Sequence, residues 1–183
     1  MLVSLLLCAI LQSAALHAAE PEAPADSAAA AQAAADQDQS AAAAASALEQ
    51  NLMAHFDGER LDRSYRRLDA ADGPFLSRYV LAEDDPAVGA VVVVPGSGQL
   101  ITSNATIDAL VDECPRNGWA LMAVQVPLLN QDAELEDYAA LQPAALQRLT
   151  AACAQLRGDG IQTIVLLGLE QGAEVISEFL RDP

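Results

Sequence analysis

Ile161-Gln162-Thr163-Ile164-Val165-Leu166-Leu167-Gly168-Leu169-Glu170-Gln171-Gly172 decides the fold. Its apolar run reads as a strand buried on both faces and stops at Gly168. From Gly172 to Leu180 apolar residues return at helical spacing. The joint, Gly-x-Glu-x-Gly, is a sharp strand-to-helix turn with glycine on either side, where the backbone is crowded. Turns of this kind that carry a nucleophile read Gly-x-Ser-x-Gly. Here the central position is Glu170.

Outward from the elbow, the chain holds two further apolar, β-rich runs. Val88 to Val94 is a buried parallel strand ended by Pro95-Gly96-Ser97-Gly98, and Trp119 to Val126 is another, ended by Pro127. Between them Ser103 or Asn104 caps a helix whose core stripe is Ile107, Leu110, Val111 and Cys114. Pro115 disfavours helical geometry at Cys114 and Asn117-Gly118 supplies the stop. Residues 128 to 142 form a solvated acidic loop; neither an oxygen cage nor a tight glycine turn for calcium is visible there. Pro143 opens a helix with a Leu146, Leu149, Cys153, Leu156 stripe, closed by Gly158-Asp159-Gly160. Upstream, Leu61 to Leu68 and Phe75 to Ala82 read as strands about an Asp72-Gly73 turn. Leu48, Leu52, Met53 and Phe56 mark one face of a short helix, with His55 on the surface. The order is strand, strand, strand, helix, strand, helix, strand, helix, which implies an α/β fold with a mostly parallel sheet and helices on both faces, expected to be incomplete at its C-terminal end.

The N-terminus differs in kind. Met1 to Ala19 carries no charge and centres on Leu2 to Leu11, which reads as a secretory signal peptide with Leu16-His17-Ala18 or His17-Ala18-Ala19 before the cut. An uncleaved anchor is the alternative, but the run is short for a span of about 20 residues. Residues 20 to 46 are Ala-rich low complexity with no large apolar side chain to offset ordering entropy, hence a linker. The domains are then 1–19, 20–46 and 47–183, and the expected location is the bacterial periplasm or cell envelope.

The formal net charge is −17 and no lysine occurs in the 183 residues. Such a chain repels phosphate backbones and anionic membranes, which argues against nucleic acid as a partner and against a stable membrane span once the leader is cut. The arginines at 60, 63, 66, 67 and 78 concentrate in one region. They read as charge balance for an acidic protein rather than as an anion site. Three cysteines, at 8, 114 and 153, make neither a metal pattern nor a disulfide framework, and no cofactor motif is present.

On Gly168-Leu169-Glu170-Gln171-Gly172, Pro95-Gly96-Ser97-Gly98-Gln99 and Gly118-Trp119, from about Leu48 onward, the chain resembles the α/β-hydrolase superfamily. Within it the chain is most similar to bacterial exported α/β-hydrolase-like proteins of unknown function. The resemblance implies an oxyanion hole of backbone N–H groups from Gln171 and from Ser97 or a neighbour. It implies that the helices bearing Cys114 and Cys153 cover opposite faces of the sheet, because their crossovers run in opposite directions and both are right-handed. A bond between those thiols is then ruled out by distance.

The side chains do not match a working triad. Glu170 supplies no alkoxide, and no histidine follows His55 to act as base. Three readings remain: a non-catalytic exported α/β-hydrolase-like module, a fragment of an exported esterase-type serine hydrolase, and a carboxylate-nucleophile hydrolase using Glu170. The first is favoured, since a carboxylate beside a helix N-terminus is ordinary surface chemistry. Ser97 is a minor nucleophile candidate, because a tight loop needs small residues anyway. A small-molecule or protein partner is left open.

Overall fold

Val92 and Val94 of one strand point to one face of the sheet and Val93 to the other, and all three are fully buried. That strand is the middle of the parallel part of the molecule. The computed structural model describes residues 47–56, 64–129 and 133–181. The expected signal peptide and Ala-rich linker lie outside these residues, as do Arg60 and Arg63.

Residues 47–56 are helical and are called α1. The strands are β1 (Tyr65–Ala70), β2 (Gly73–Val80), β3 (Gly89–Val94), β4 (Trp119–Val124) and β5 (Ile164–Gly168). The helices that follow are α2 (Ala105–Arg116), α3 (Gln142–Gly158) and α4 (Gly172–Phe179), with a 3-10 helix at Leu135–Leu141. The sheet order is β1-β2-β4-β3-β5. β1 pairs antiparallel with β2, and β2 antiparallel with β4, whereas β4-β3 and β3-β5 are parallel.

From β3 the chain crosses through α2 to β4 on one side, then through α3 past β3 to β5 on the other. Right-handed crossovers in opposite directions put the two helices on opposite faces. The packing follows this. Leu149, Ala152, Cys153 and Leu156 of α3 join Phe75, Val92, Met122 and Ile176 in one core. Ile107 of α2, with half-buried Leu110, Val111 and Cys114, joins Leu76, Val93 and Leu121 in the other, where Leu52 and Phe56 of α1 also pack. Cys114 and Cys153 therefore stand on opposite faces, and both are free thiols.

Several elements depart from the sequence reading. β5 is not buried on both faces: Val165 is 45% exposed, because β5 is an edge of the described sheet, paired only with β3. Cys114 is half-buried rather than buried. The hairpin strands are shifted, with Ala70 opposite Gly73 and a two-residue turn at 71–72. Gly73 has φ +119°, a conformation other residues rarely adopt.

Pro115 does not break α2. It sits in the last turn, where few intrahelical bonds remain to lose, and its ring is buried. Its carbonyl accepts from Glu83 N–H (3.0 Å) and Gly118 N–H (3.1 Å). At the other end Asn104 caps, accepting from Thr106 N–H at 3.0 Å and Ile107 N–H at 3.2 Å. The segment expected to be a plain acidic loop contains the 3-10 helix. Asp137 accepts from Glu134 N–H at 2.9 Å, closing a capping box that favours a helical turn over an extended loop.

Candidate functional site

β5 ends at Gly168, and the Leu169 N–H still donates to the Val94 carbonyl of β3 at 2.9 Å. The chain then reverses. Glu170 takes φ +49°, the left-handed region that non-glycine residues enter at a cost. Gly172 N–H donates to Leu169 C=O (2.9 Å), and Ala173 N–H to Glu170 C=O (3.0 Å), starting α4.

The flanking glycines are required by contact. A Cβ on Gly172 would lie 2.1 Å from the Val94 carbonyl oxygen, and one on Gly168 would lie 2.4 Å from the Ala173 nitrogen. A tight turn with a strained central residue at the C-terminal end of a parallel strand is the context that a nucleophile elbow needs. The joint is a strained strand-to-helix turn with Glu170 at its centre.

The loop after β3 lies against the elbow. Pro95 and Gly96 are buried, and an ideal Cβ on Gly96 would be 3.1 Å from Glu170 Oε2 and 3.0 Å from Gln171 Oε1. Gln99 N–H donates to Gly96 C=O at 3.1 Å, closing the turn. Gln125 holds this loop from beneath. It is 1% exposed; its Oε1 accepts from Ile101 N–H (3.0 Å), and its Nε2 donates to Gln99 C=O (2.9 Å). Sequence reading passed over Gln125 as one residue of a strand. The available signal was a single amide in the otherwise apolar run Trp119 to Val126. A buried amide must find partners, and the nearest backbone in need of them is the loop.

Beside the elbow is a pocket of about 180 Å³. Its walls come from the β3 loop, the end of β4, the 3-10 helix and the starts of α3 and α4. Ser97 and Gln171, the two oxyanion-type candidates, both line it, together with Tyr138, Leu141, Val175 and Glu174. Tyr138 packs on Gly98, and its hydroxyl accepts from Leu129 N–H at 3.4 Å. Glu170 is exposed and does not line the pocket; its carboxylate stands beside Gly96. His55 is exposed on α1, edge-on to Phe56 at 5.7 Å between ring centroids. It lines neither this pocket nor the larger depression, about 760 Å³, at the opposite ends of the strands.

That depression includes Arg66, Tyr79, Asp84, Asp85 and Asp159. Arg66 lies over the Tyr79 ring, 4.6 Å from its centroid. Arg78 pairs with Asp108 at 2.5 Å and lies over Tyr65. Arg78 is thus ion-paired within the chain, whereas Arg66 is exposed and lines the depression. Among the described residues no three His, Cys, Asp or Glu side chains gather as metal ligands, and no helix is long and apolar enough to cross a membrane.

Glu49 and Arg148 are the buried charges that sequence reading missed. Arg148 donates to both Glu49 carboxylate oxygens, to Asp72 and to the Gln125 carbonyl. Glu49 also accepts from Leu128 N–H at 3.0 Å. Helix α1, the hairpin turn and the end of β4 are joined through this one guanidinium.

Among solved structures the chain is similar to Est1E from Butyrivibrio proteoclasticus, with 14% identity and a TM-score of 0.49 over 63% of this chain and 44% of that one. It is similar to XC6422 from Xanthomonas campestris, described as an α/β serine hydrolase without lid, with 20% identity and a TM-score of 0.43 over 66% and 57%. A phospholipase/carboxylesterase from Dyadobacter fermentans matches at 19% identity, TM-score 0.42, over 64% and 55%. The chain spans about half the length of these structures. No curated protein matches it. The family model described as protein of unknown function (DUF3530) matches residues 1–147, which include the β3 loop and Gly118-Trp119 but not the elbow, and the chain belongs to that family.

Proposed function

We propose that this chain is an exported, non-catalytic α/β-hydrolase-like module that binds a small molecule in the pocket beside its elbow. The observation that carries the reading is Glu170: the elbow keeps its strained backbone, φ +49°, and both of its glycines, while the nucleophile position holds a carboxylate. The pocket and its wall of Ser97 and Gln171 are retained beside it. The histidine within the described residues is on the surface of α1 and not at the pocket. Export is supported by the apolar run Leu2 to Leu11 and the small residues that follow it before Ala19.

The test is hydrolysis of p-nitrophenyl acetate and butyrate by the purified chain, with Glu170→Ala and Ser97→Ala as controls. Turnover at background in all three is expected. Saturable turnover lost in Glu170→Ala overturns the reading in favour of a carboxylate nucleophile. Loss in Ser97→Ala instead moves the chemistry to the β3 loop. For export, mass spectrometry of protein made in a Gram-negative host should find a mature N-terminus near Ala19 or Glu20. Retention of Met1 on soluble cytoplasmic protein refutes that part.

A further inference from the structure

We infer that the pocket beside the elbow selects a small amphipathic cation, a straight-chain aliphatic ammonium, over the matching carboxylate or neutral alcohol. The inference rests on the binding-module reading above and adds the charge and size of the ligand. Size comes from the volume. At about 180 Å³ the space is small and suits a short alkyl chain.

Apolarity comes from the walls: Pro95, Val126, Pro127, Leu141, Ala145 and Val175 face it. Such walls favour an alkyl chain over a sugar or a bare ion.

Charge comes from what is present and what is missing. No arginine, lysine or histidine lines the pocket, whereas Glu174 does. Glu170 adds a second carboxylate beside Gly96, next to the lining residue Pro95. Arg148, on the turn of α3 after Ala145, is committed to Glu49 and Asp72 and offers nothing to a ligand anion. The N-terminus of α4 opposes this with about half a positive charge. Glu174, in its first turn, sets a full negative charge at the pocket wall against that half charge. The hydroxyl and ring of Tyr138 and the amide oxygens of Gln142 and Gln171 complete a lining able to receive N–H donors.

The experiment titrates the full chain with n-hexylammonium, hexanoate and 1-hexanol, reading amide shifts of Ser97, Gln171 and Gly172 in proton–nitrogen spectra. The ammonium should bind at least about tenfold more tightly than hexanoate, and its affinity should fall as salt rises from about 20 to about 300 mM. Glu174→Gln should weaken the ammonium about two- to fivefold and leave hexanol unchanged. Ala139→Phe, a substitution at the exposed rim, should block all three probes. Hexanoate binding as well as the ammonium, ammonium no better than hexanol, an unchanged Glu174→Gln variant, or no shift with any probe each overturns the inference. Ester turnover would refute the non-catalytic reading without touching this charge preference. Absence of turnover together with hexanoate binding would refute the preference alone.

Discussion

Arg148 of α3 grips Glu49 of α1 with two parallel hydrogen bonds, 2.8 Å to Oε1 and 2.7 Å to Oε2, between side chains that are 4% and 10% exposed. Ninety-nine residues separate them in the chain. Burial alone would lower the Arg148 pKa, but its bonds to Glu49 and Asp72 hold it above the usual arginine value, so the cation is permanent. A planar guanidinium suits this bidentate geometry as an ammonium would not.

Removing one partner strands the other charge in the interior. Arg148→Met or Glu49→Leu alone should each cost about 3–5 kcal/mol. Replacing the pair with apolar residues of similar volume, Arg148→Met with Glu49→Leu, should cost much less than the sum of the single changes. Urea unfolding of the four proteins measures this. Additive losses would mean that the pair is not a coupled unit.

A second expectation concerns pH. Tyr79 is 2% exposed on β2. Burial first, then the nearby Asp159 carboxylate, pushes its hydroxyl up to about 12. Above its ordinary value of 10.0 the unfolded chain sheds this proton while the folded chain keeps it. The folded state then binds more protons, so stability is full below about pH 10 and is lost as pH climbs toward about 12. Tyr79→Phe has no such proton. The stability difference between wild type and Tyr79→Phe should be flat from about pH 7 to about pH 9.5 and then move against the wild type. Parallel curves to about pH 11.5 would show that the hydroxyl is not perturbed.

The elements that the sequence reading found are those whose signal is local. Gly89 to Val94 and Trp119 to Val124 are apolar throughout, so these strands could be read directly, although Val88, read as part of the first, is 59% exposed. Ser103 and Asn104 both announced a cap by side-chain type, and Asn104 supplies it. The opposite placement of Cys114 and Cys153 followed from handedness once the strand order was assumed. What escaped were long-range polar partners. Glu49 and Arg148 were not singled out, since neither carries any mark of the other. The 3-10 helix that walls the pocket was hidden too, because its capping box joins residues in an acidic stretch that reads equally well as loop. β5 looked buried because an apolar edge strand and a central one have the same composition, and pairing distinguishes them.

The elbow makes an expectation of opposite signs at two neighbouring positions. Glu170 pays for φ +49°, about 1–2 kcal/mol for a residue with a Cβ. Glu170→Gly removes that strain but adds chain freedom in the unfolded state, worth about 0.5–1 kcal/mol, so it should leave stability unchanged or raise it by up to about 1 kcal/mol. Gly172→Ala, two residues on, places a methyl 2.1 Å from the Val94 carbonyl oxygen and 2.7 Å from that of Pro95. Both are backbone atoms of a buried strand end, so the elbow must move, at about 1–3 kcal/mol or more. An unstrained strand-to-helix joint would give the reverse ordering. There, Gly→Ala at the start of a helix stabilises by up to about 1 kcal/mol through propensity, and Glu→Gly destabilises by a similar amount. Urea midpoints of the two single variants therefore discriminate the strained elbow from an ordinary helix start, and a more stable Gly172→Ala would remove the structural basis for placing Glu170 at a nucleophile position.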